Sequence, residues 1–234
     1  DPEDLVEDIE EMFEELEENP ISGNASWYNV NISGYYNSEQ EVLDETMTSN
    51  TKYSVTGTVY VGKTLWDTKA HLVYKATNIT TEDDDTVENT YTSDIVWLEG
   101  TAYVKNVAQT KSENIKSKDT SYERSYSQNL PFQGSELIFA LSDPSDLFEM
   151  LISAAAAQDA DDDNAEVYRK DNKFGYTTNL TQEFGSQETE SEAKCQFDYD
   201  AKKNLIKSID FYTKYSSESE YGSTEYSYSV QIDK

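Results

Sequence analysis

The stretch Ser135 to Ala157, SELIFALSDPSDLFEMLISAAAA, constrains the fold more than any other part of the chain. Here the pattern turns apolar at helical spacing, whereas the sequence on either side alternates polar with apolar residues. Asp143-Pro144-Ser145-Asp146 reads as a helix start, with an acid as cap, proline at the first helical position and an acid in the first turn. Leu147, Phe148, Met150, Leu151 and Ile152 then share one broad face, which Ala154 to Ala157 extend with strong helix formers. Ser135 is predicted to cap a shorter helix whose Leu137, Ile138 and Leu141 point the same way. Helices with one apolar face need an apolar surface to cover, so the flanking strands must provide it.

At the start of the chain, Asp1-Pro2-Glu3-Asp4 repeats the helix-start signal. Leu5, Ile9, Met12, Phe13 and Leu16 follow at helical spacing up to Asn19-Pro20, which predicts a helix over 3–18. From Trp27 to about Leu130 the period is two, with Gly57 a bend or bulge and Glu99-Gly100-Thr101 a hairpin loop. Asn78 to Glu88 and Lys111 to Asp119 read as polar loops, and so does the acidic run Gln158 to Asn164. Further strands are expected over Glu166 to Lys170, Phe174 to Phe184, Glu192 to Tyr199, Leu205 to Tyr215 and Thr224 to Ile232. No Pro/Gly linker divides the chain, so residues 1–234 are read as one domain. The predicted class is α+β, a curved antiparallel sheet (half-barrel) with an N-terminal helix and two central helices covering one face.

Composition removes several function classes. A net charge of -29 disfavours nucleic acid, where affinity comes from neutralising phosphates, and disfavours adhesion of the protein body to anionic membranes. Hydrophobic residues make up only 36%, with a mean hydropathy of -0.79, yet the 18 tyrosines argue for a folded sheet rather than disorder. Acidity of this kind suits a soluble extracellular domain, and the preference for Lys over Arg speaks against a halophile. Cys195 is the single cysteine, which excludes an internal disulfide, and its place in the run from Ala193 to Phe197 predicts a buried inert thiol. No run approaches the roughly 20 apolar residues of a membrane-spanning helix. The chain begins at Asp1 without methionine, so we expect a leader to have been removed.

Catalytic constellations are lacking. His71 is the only histidine and sits in a strand pattern without a nucleophile motif, so neither a triad nor a zinc site is expected. The run from Asp159 to Asn164 imitates the first half of a calcium loop, but Asn164 replaces the turn glycine and Lys170 stands where the bidentate Glu belongs. We therefore expect no enzyme, no cofactor and no metal.

The order of a helix, a long meander, two apolar helices and a second meander resembles the LolA/LppX-like lipoprotein-carrier superfamily. The hairpin Ile95-Val96-Trp97-Leu98-Glu99-Gly100-Thr101-Ala102-Tyr103-Val104 is similar to a hairpin that recurs there. This resemblance implies a non-enzymatic cell-surface lipoprotein that binds a lipid or acyl ligand between sheet and helices. It also implies a chain secreted or held at the outer face of the membrane by an anchor upstream of Asp1. The expected lining is Leu137, Leu141, Phe148, Leu151 and Ile152 from the helices, faced by Trp97, Tyr103 and Phe211 from strands. A structural or protein-interaction role, with a filled core and no small-molecule ligand, is the alternative. The protein is expected to be a monomer.

Overall fold

Period-two sequence on both sides of the apolar stretch builds one continuous sheet. The computed structural model describes residues 26–42, 45–62, 65–82, 85–125, 132–141, 145–159, 165–184, 186–203 and 205–234. The first meander comprises β1 (Ser26–Val42), β2 (Glu45–Val61), β3 (Lys69–Glu82), β4 (Asp85–Leu98), β5 (Thr101–Lys111) and β6 (Lys116–Ser125). Two helices follow, α1 (Ser135–Phe139) and α2 (Ser145–Asp159). The second meander is β7 (Ala165–Lys170), β8 (Lys173–Phe184), β9 (Gln187–Asp200), β10 (Leu205–Ser219) and β11 (Gly222–Asp233). All 11 strands are antiparallel neighbours in the order β6-β5-β4-β3-β2-β1-β11-β10-β9-β8-β7. The two meanders therefore meet where β1 pairs with β11, from Asn29↔Asp233 to Gln40↔Gly222.

Residues paired across antiparallel strands share a face, so the register sorts side chains into an inner and an outer surface. The inner surface begins as a hydrophobic core. Val30 and Ile32 of β1 align with Ile232 and Val230 of β11, and Leu72 aligns with Ile95, all of them buried. Onto this end pack Leu137 and Ile138 of α1, Leu141 in the turn after it, and Leu147, Phe148 and Leu151 of α2. Phe148 meets Phe174, Phe197 and Tyr199 edge-on, with ring centroids at 5.7, 5.2 and 5.4 Å. These are favoured aromatic geometries. Tyr28 adds a buried cross-tie, its hydroxyl donating to the Ile206 carbonyl at 2.6 Å.

Two glycines are required by close approach. Gly134, not Ser135, occupies the cap position of α1, in the left-handed region at φ 85. A Cβ there would come within 2.6 Å of Val230. Gly57 lets β3 draw close, since a Cβ would lie 2.1 Å from the His71 carbonyl. The β2–β3 register nonetheless runs through Gly57 without a bulge.

The α+β class expected from the sequence is corrected: the protein is mainly β. Strands dominate the described residues, and the helices are 5 and 15 residues long. At 1.5 Å per residue α2 spans about 22 Å, whereas the 17 residues of β1 extend about 58 Å. A helix of that length roofs one end of the sheet and cannot form a layer over the whole face. Two expected loops are also mostly strand. The hairpin arms run to Glu82 and restart at Asp85, and β6 begins at Lys116. The predicted helix over 3–18 and the Asp143-Pro144 signal lie outside the described residues, as does most of the acidic run after Asp159.

Candidate functional site

The expected ligand lining divides into three groups. Trp97, Leu137, Leu141, Phe148 and Leu151 are all 4% exposed or less and pack against one another and the sheet. Ile152 and Phe211 border that core and are partly buried. Tyr103 is 44% exposed and belongs to the outer face, because the β4–β5 register pairs it with Val96 while Trp97 pairs with Ala102. Five of the eight residues expected as a pocket wall therefore lie in the buried core, Ile152 and Phe211 border it, and Tyr103 is on the other side of the sheet.

Beyond the helix-covered end the inner surface continues, uncovered by α1 or α2, and its chemistry changes. One row across the sheet runs Tyr91, Ala76, Tyr53, Gly34, Tyr228 and Thr213, alternating rings with small side chains. The Tyr53 ring lies over Gly34, where a Cβ would approach it to 2.5 Å. The next row out holds Asn89, Asn78, Thr51, Tyr36, Tyr226 and Tyr215. Tyr215 and Tyr226 stack at 5.2 Å, and Tyr53, Tyr74 and Tyr91 form a chain with centroids 6.3 and 6.1 Å apart. Between them, amides and hydroxyls are ordered by one another. Asn78 donates through Nδ2 to Ser49 Oγ at 3.0 Å and Thr51 Oγ1 at 2.8 Å, and accepts from Thr80 at 3.0 Å.

Near the helices, burial governs the ionisation of these phenols. It raises Tyr74, and it pushes Tyr228 up to about 12, with the Glu136 carboxylate of α1 adding to the effect. Burial likewise lifts Tyr53 and Tyr176 well above the ordinary tyrosine range; Tyr53 is raised further by Tyr228, Tyr74 and Glu136. A phenol held neutral is a hydrogen-bond donor and acceptor, not a nucleophile.

The outer surface carries the charge. Lys214 bridges to Glu225 at 3.1 Å, and Tyr35 donates its hydroxyl to the same carboxylate, which is held below the usual range by the Tyr35 bond first and Lys214 second. His71, more than half exposed, sits 2.8 Å from Asp94 on this face. Two shallow depressions of about 400 and about 430 Å³ also open here. The first has Tyr168, Lys194, Gln196 and Asp210 among its walls, and the second Val96, Tyr103, Tyr122 and Arg124. Cys195 is buried as predicted, and desolvation, then Asp210, pushes its thiol up to about 12. Among the described residues no group of three His, Cys, Asp or Glu side chains is placed to hold a metal.

Hydrophobic period alone does not reveal the uncovered inner face, although the sequence carries a signal for it. Gln187-Glu188-Thr189-Glu190-Ser191-Glu192-Ala193-Lys194 alternates neutral with charged residues at the strand period. That pattern by itself assigns the neutral set to one face and the charged set to the other.

No protein-family model and no curated protein matches the chain. Among solved structures, it is similar to the translocator domain of the autotransporter NalP from Neisseria meningitidis, at 5% identity and a TM-score of 0.34, covering 97% of this chain and 94% of that one. The β domain of the Bordetella autotransporter BrkA matches at 6% identity and a TM-score of 0.32, over 90% of this chain and 100% of that one. The transport unit of the autotransporter AIDA-I from Escherichia coli matches at 9% identity and a TM-score of 0.32, over 96% of both chains. At these scores the likeness supports no reading of function. Autotransporter domains, and not LolA-like lipoprotein carriers, are what the comparison returns, so the LolA-like and lipoprotein labels drawn from element order are corrected.

Proposed function

We propose that this chain is a non-enzymatic recognition scaffold of the cell envelope or its exterior, working through its surfaces rather than carrying an acyl chain in its core. One observation carries the reading: the residues that would have to line a carrier pocket are packed against each other. Trp97, Leu137, Leu141, Phe148 and Leu151 have almost no exposure, and a close-packed interior leaves no room for an alkyl chain. The chain's net charge of -29 fits a soluble, exported domain kept from self-association by its charge.

Titration with a fluorescent long-chain fatty acid tests this directly. Each buried methylene is worth about 0.8 kcal/mol, so a carrier would bind such a probe tightly and saturably. We expect only weak, non-saturating partition. Saturable binding at one site, weakened by Leu151→Ala, would overturn the scaffold reading in favour of a carrier.

A further inference from the structure

The inner face beyond the helices carries an unusual absence. On every strand except the two edges, its inward positions between the helix-covered end and the hairpin tips hold no Lys, Arg, Asp or Glu. Among the described strand residues, inward carboxylates return only at the tips, as Glu45, Glu82 and Asp85, and on edge strand β6 as Asp119 and Glu123. Glu136 of α1 marks the other end of the region through its influence on Tyr53 and Tyr228. In a chain of net charge -29, this is a sorted surface: charge outside, and neutral hydroxyl, amide and phenol groups inside.

From this sorting we propose that the part of the inner face that α1 and α2 leave uncovered binds a neutral polyhydroxylated chain, an uncharged polysaccharide. The proposal rests on the reading of the protein as a recognition scaffold and names its ligand class. Polyanions are repelled by the net charge, and a polycation finds no counter-charge in the rows that cross this face. Protein interfaces are anchored by Trp, Arg and Met as well as Tyr, and the two rows that cross this face hold no Trp, Arg or Met. What those rows offer is matched to sugar. Ser, Thr and Asn supply both donors and acceptors for hydroxyl groups, and tyrosine rings cover C–H surfaces while their hydroxyls stay available. Tyr36, 42% exposed at the middle of its row, is the most accessible of these rings. Neighbouring strands stand about 4.8 Å apart, close to the repeat of an extended glycan laid across them.

Affinity electrophoresis of the full chain in native gels containing soluble α-glucan, β-glucan or mannan, with polygalacturonate as the charged comparison, tests the idea. At least one neutral polymer should retard the protein, and retardation should persist from about 0.1 to about 1 M sodium chloride, as expected where no ion pairs form. Tyr36→Ala should weaken binding at least tenfold. Ser38→Glu, which adds a carboxylate to the face without removing any packing group, should do the same. Three results would overturn the proposal: no retardation by any neutral polymer, retardation by polygalacturonate alone, or neutral-polymer binding that both variants leave intact. If an uncharged peptide bound and the glycans did not, the face would be a peptide site and the proposal would fall. Failure here with no fatty-acid binding leaves the scaffold reading standing, whereas saturable fatty-acid binding removes both.

Discussion

Phe148→Ala probes the fold most directly. The ring is fully buried and makes edge-on contacts with Phe174, Phe197 and Tyr199. Truncating a buried Phe costs about 3–5 kcal/mol. Each edge-to-face pair adds about 0.5–1.5 kcal/mol, though pairs sharing one ring do not sum independently. The upper part of the range, about 4–5 kcal/mol, is therefore expected, against a total stability of about 5–15 kcal/mol for a typical domain. For a chain of this size each kcal/mol moves the melting midpoint by about 2–4 °C, so a fall of about 10–20 °C should be seen. Thermal denaturation followed by near-ultraviolet circular dichroism and tryptophan fluorescence is the assay, since Trp97 lies in the same core. Phe148→Leu keeps most of the apolar volume and loses the ring pairs, so it should cost about 1–2 kcal/mol. A midpoint shift below about 3 °C for the alanine variant, or equal losses for Ala and Leu, would refute the claim that α2 is fastened through these rings.

Three further outcomes follow from the same structure. Because folding raises the pKa of Tyr53, Tyr176 and Tyr228, their contribution to stability is complete below the unfolded value near 10 and is lost as pH climbs toward the folded value of about 12 for Tyr228. A late tyrosinate absorbance step should coincide with loss of the sheet signal, and full titration near pH 10 with the sheet intact would contradict this. Thermal midpoints should rise as sodium chloride goes from about 0.01 to about 0.1 M, since the Debye length shrinks from about 30 to about 10 Å and self-repulsion of the acidic chain is screened; a flat series would show the acids too dispersed to interact. Gly57→Ala should cost about 1–3 kcal/mol by chemical denaturation, because the new Cβ meets the His71 carbonyl at 2.1 Å, and a neutral result would mean that β2 and β3 can separate freely.

Helix α2 and its buried face were legible because a 3.6-residue apolar pattern has few alternative readings. Leu147, Phe148 and Leu151 are buried as that pattern requires. The opposite placement of Tyr103 turned on one residue. Treating Glu99-Gly100-Thr101 as the loop puts residues 97 and 103 on one face, but the turn contains only Glu99 and Gly100, at φ 52 and 70. Positive φ at both positions is the two-residue hairpin geometry, and a one-residue change in register exchanges the faces of a strand. The stretch from Asn78 to Glu88 misled for a different reason. Its threonines and acids resemble a loop in composition, yet β-branched side chains favour an extended pair, here tied by Thr81 and Thr86 hydroxyls 3.3 Å apart. The fold class turned on proportion rather than pattern. The longest strands run more than twice the length of α2, beyond what that helix can cover, and that ratio separates an α+β layer from a mainly-β sheet roofed at one end.

The seam between β1 and β11 has a consequence for how the chain acquires its fold. Each meander is a succession of hairpins whose partners emerge close together during synthesis, so both arms can zip locally. Strand β1 is different: Asn29 waits for Asp233, and until then its edge offers unpaired amides and carbonyls along its full length. Closing so long a loop makes the seam a late, slow event, and any second molecule at the same stage presents the complementary β11 edge. Refolding at high concentration should therefore produce dimers that exchange their β7–β11 arms, each seam native in its pairing but built from two chains.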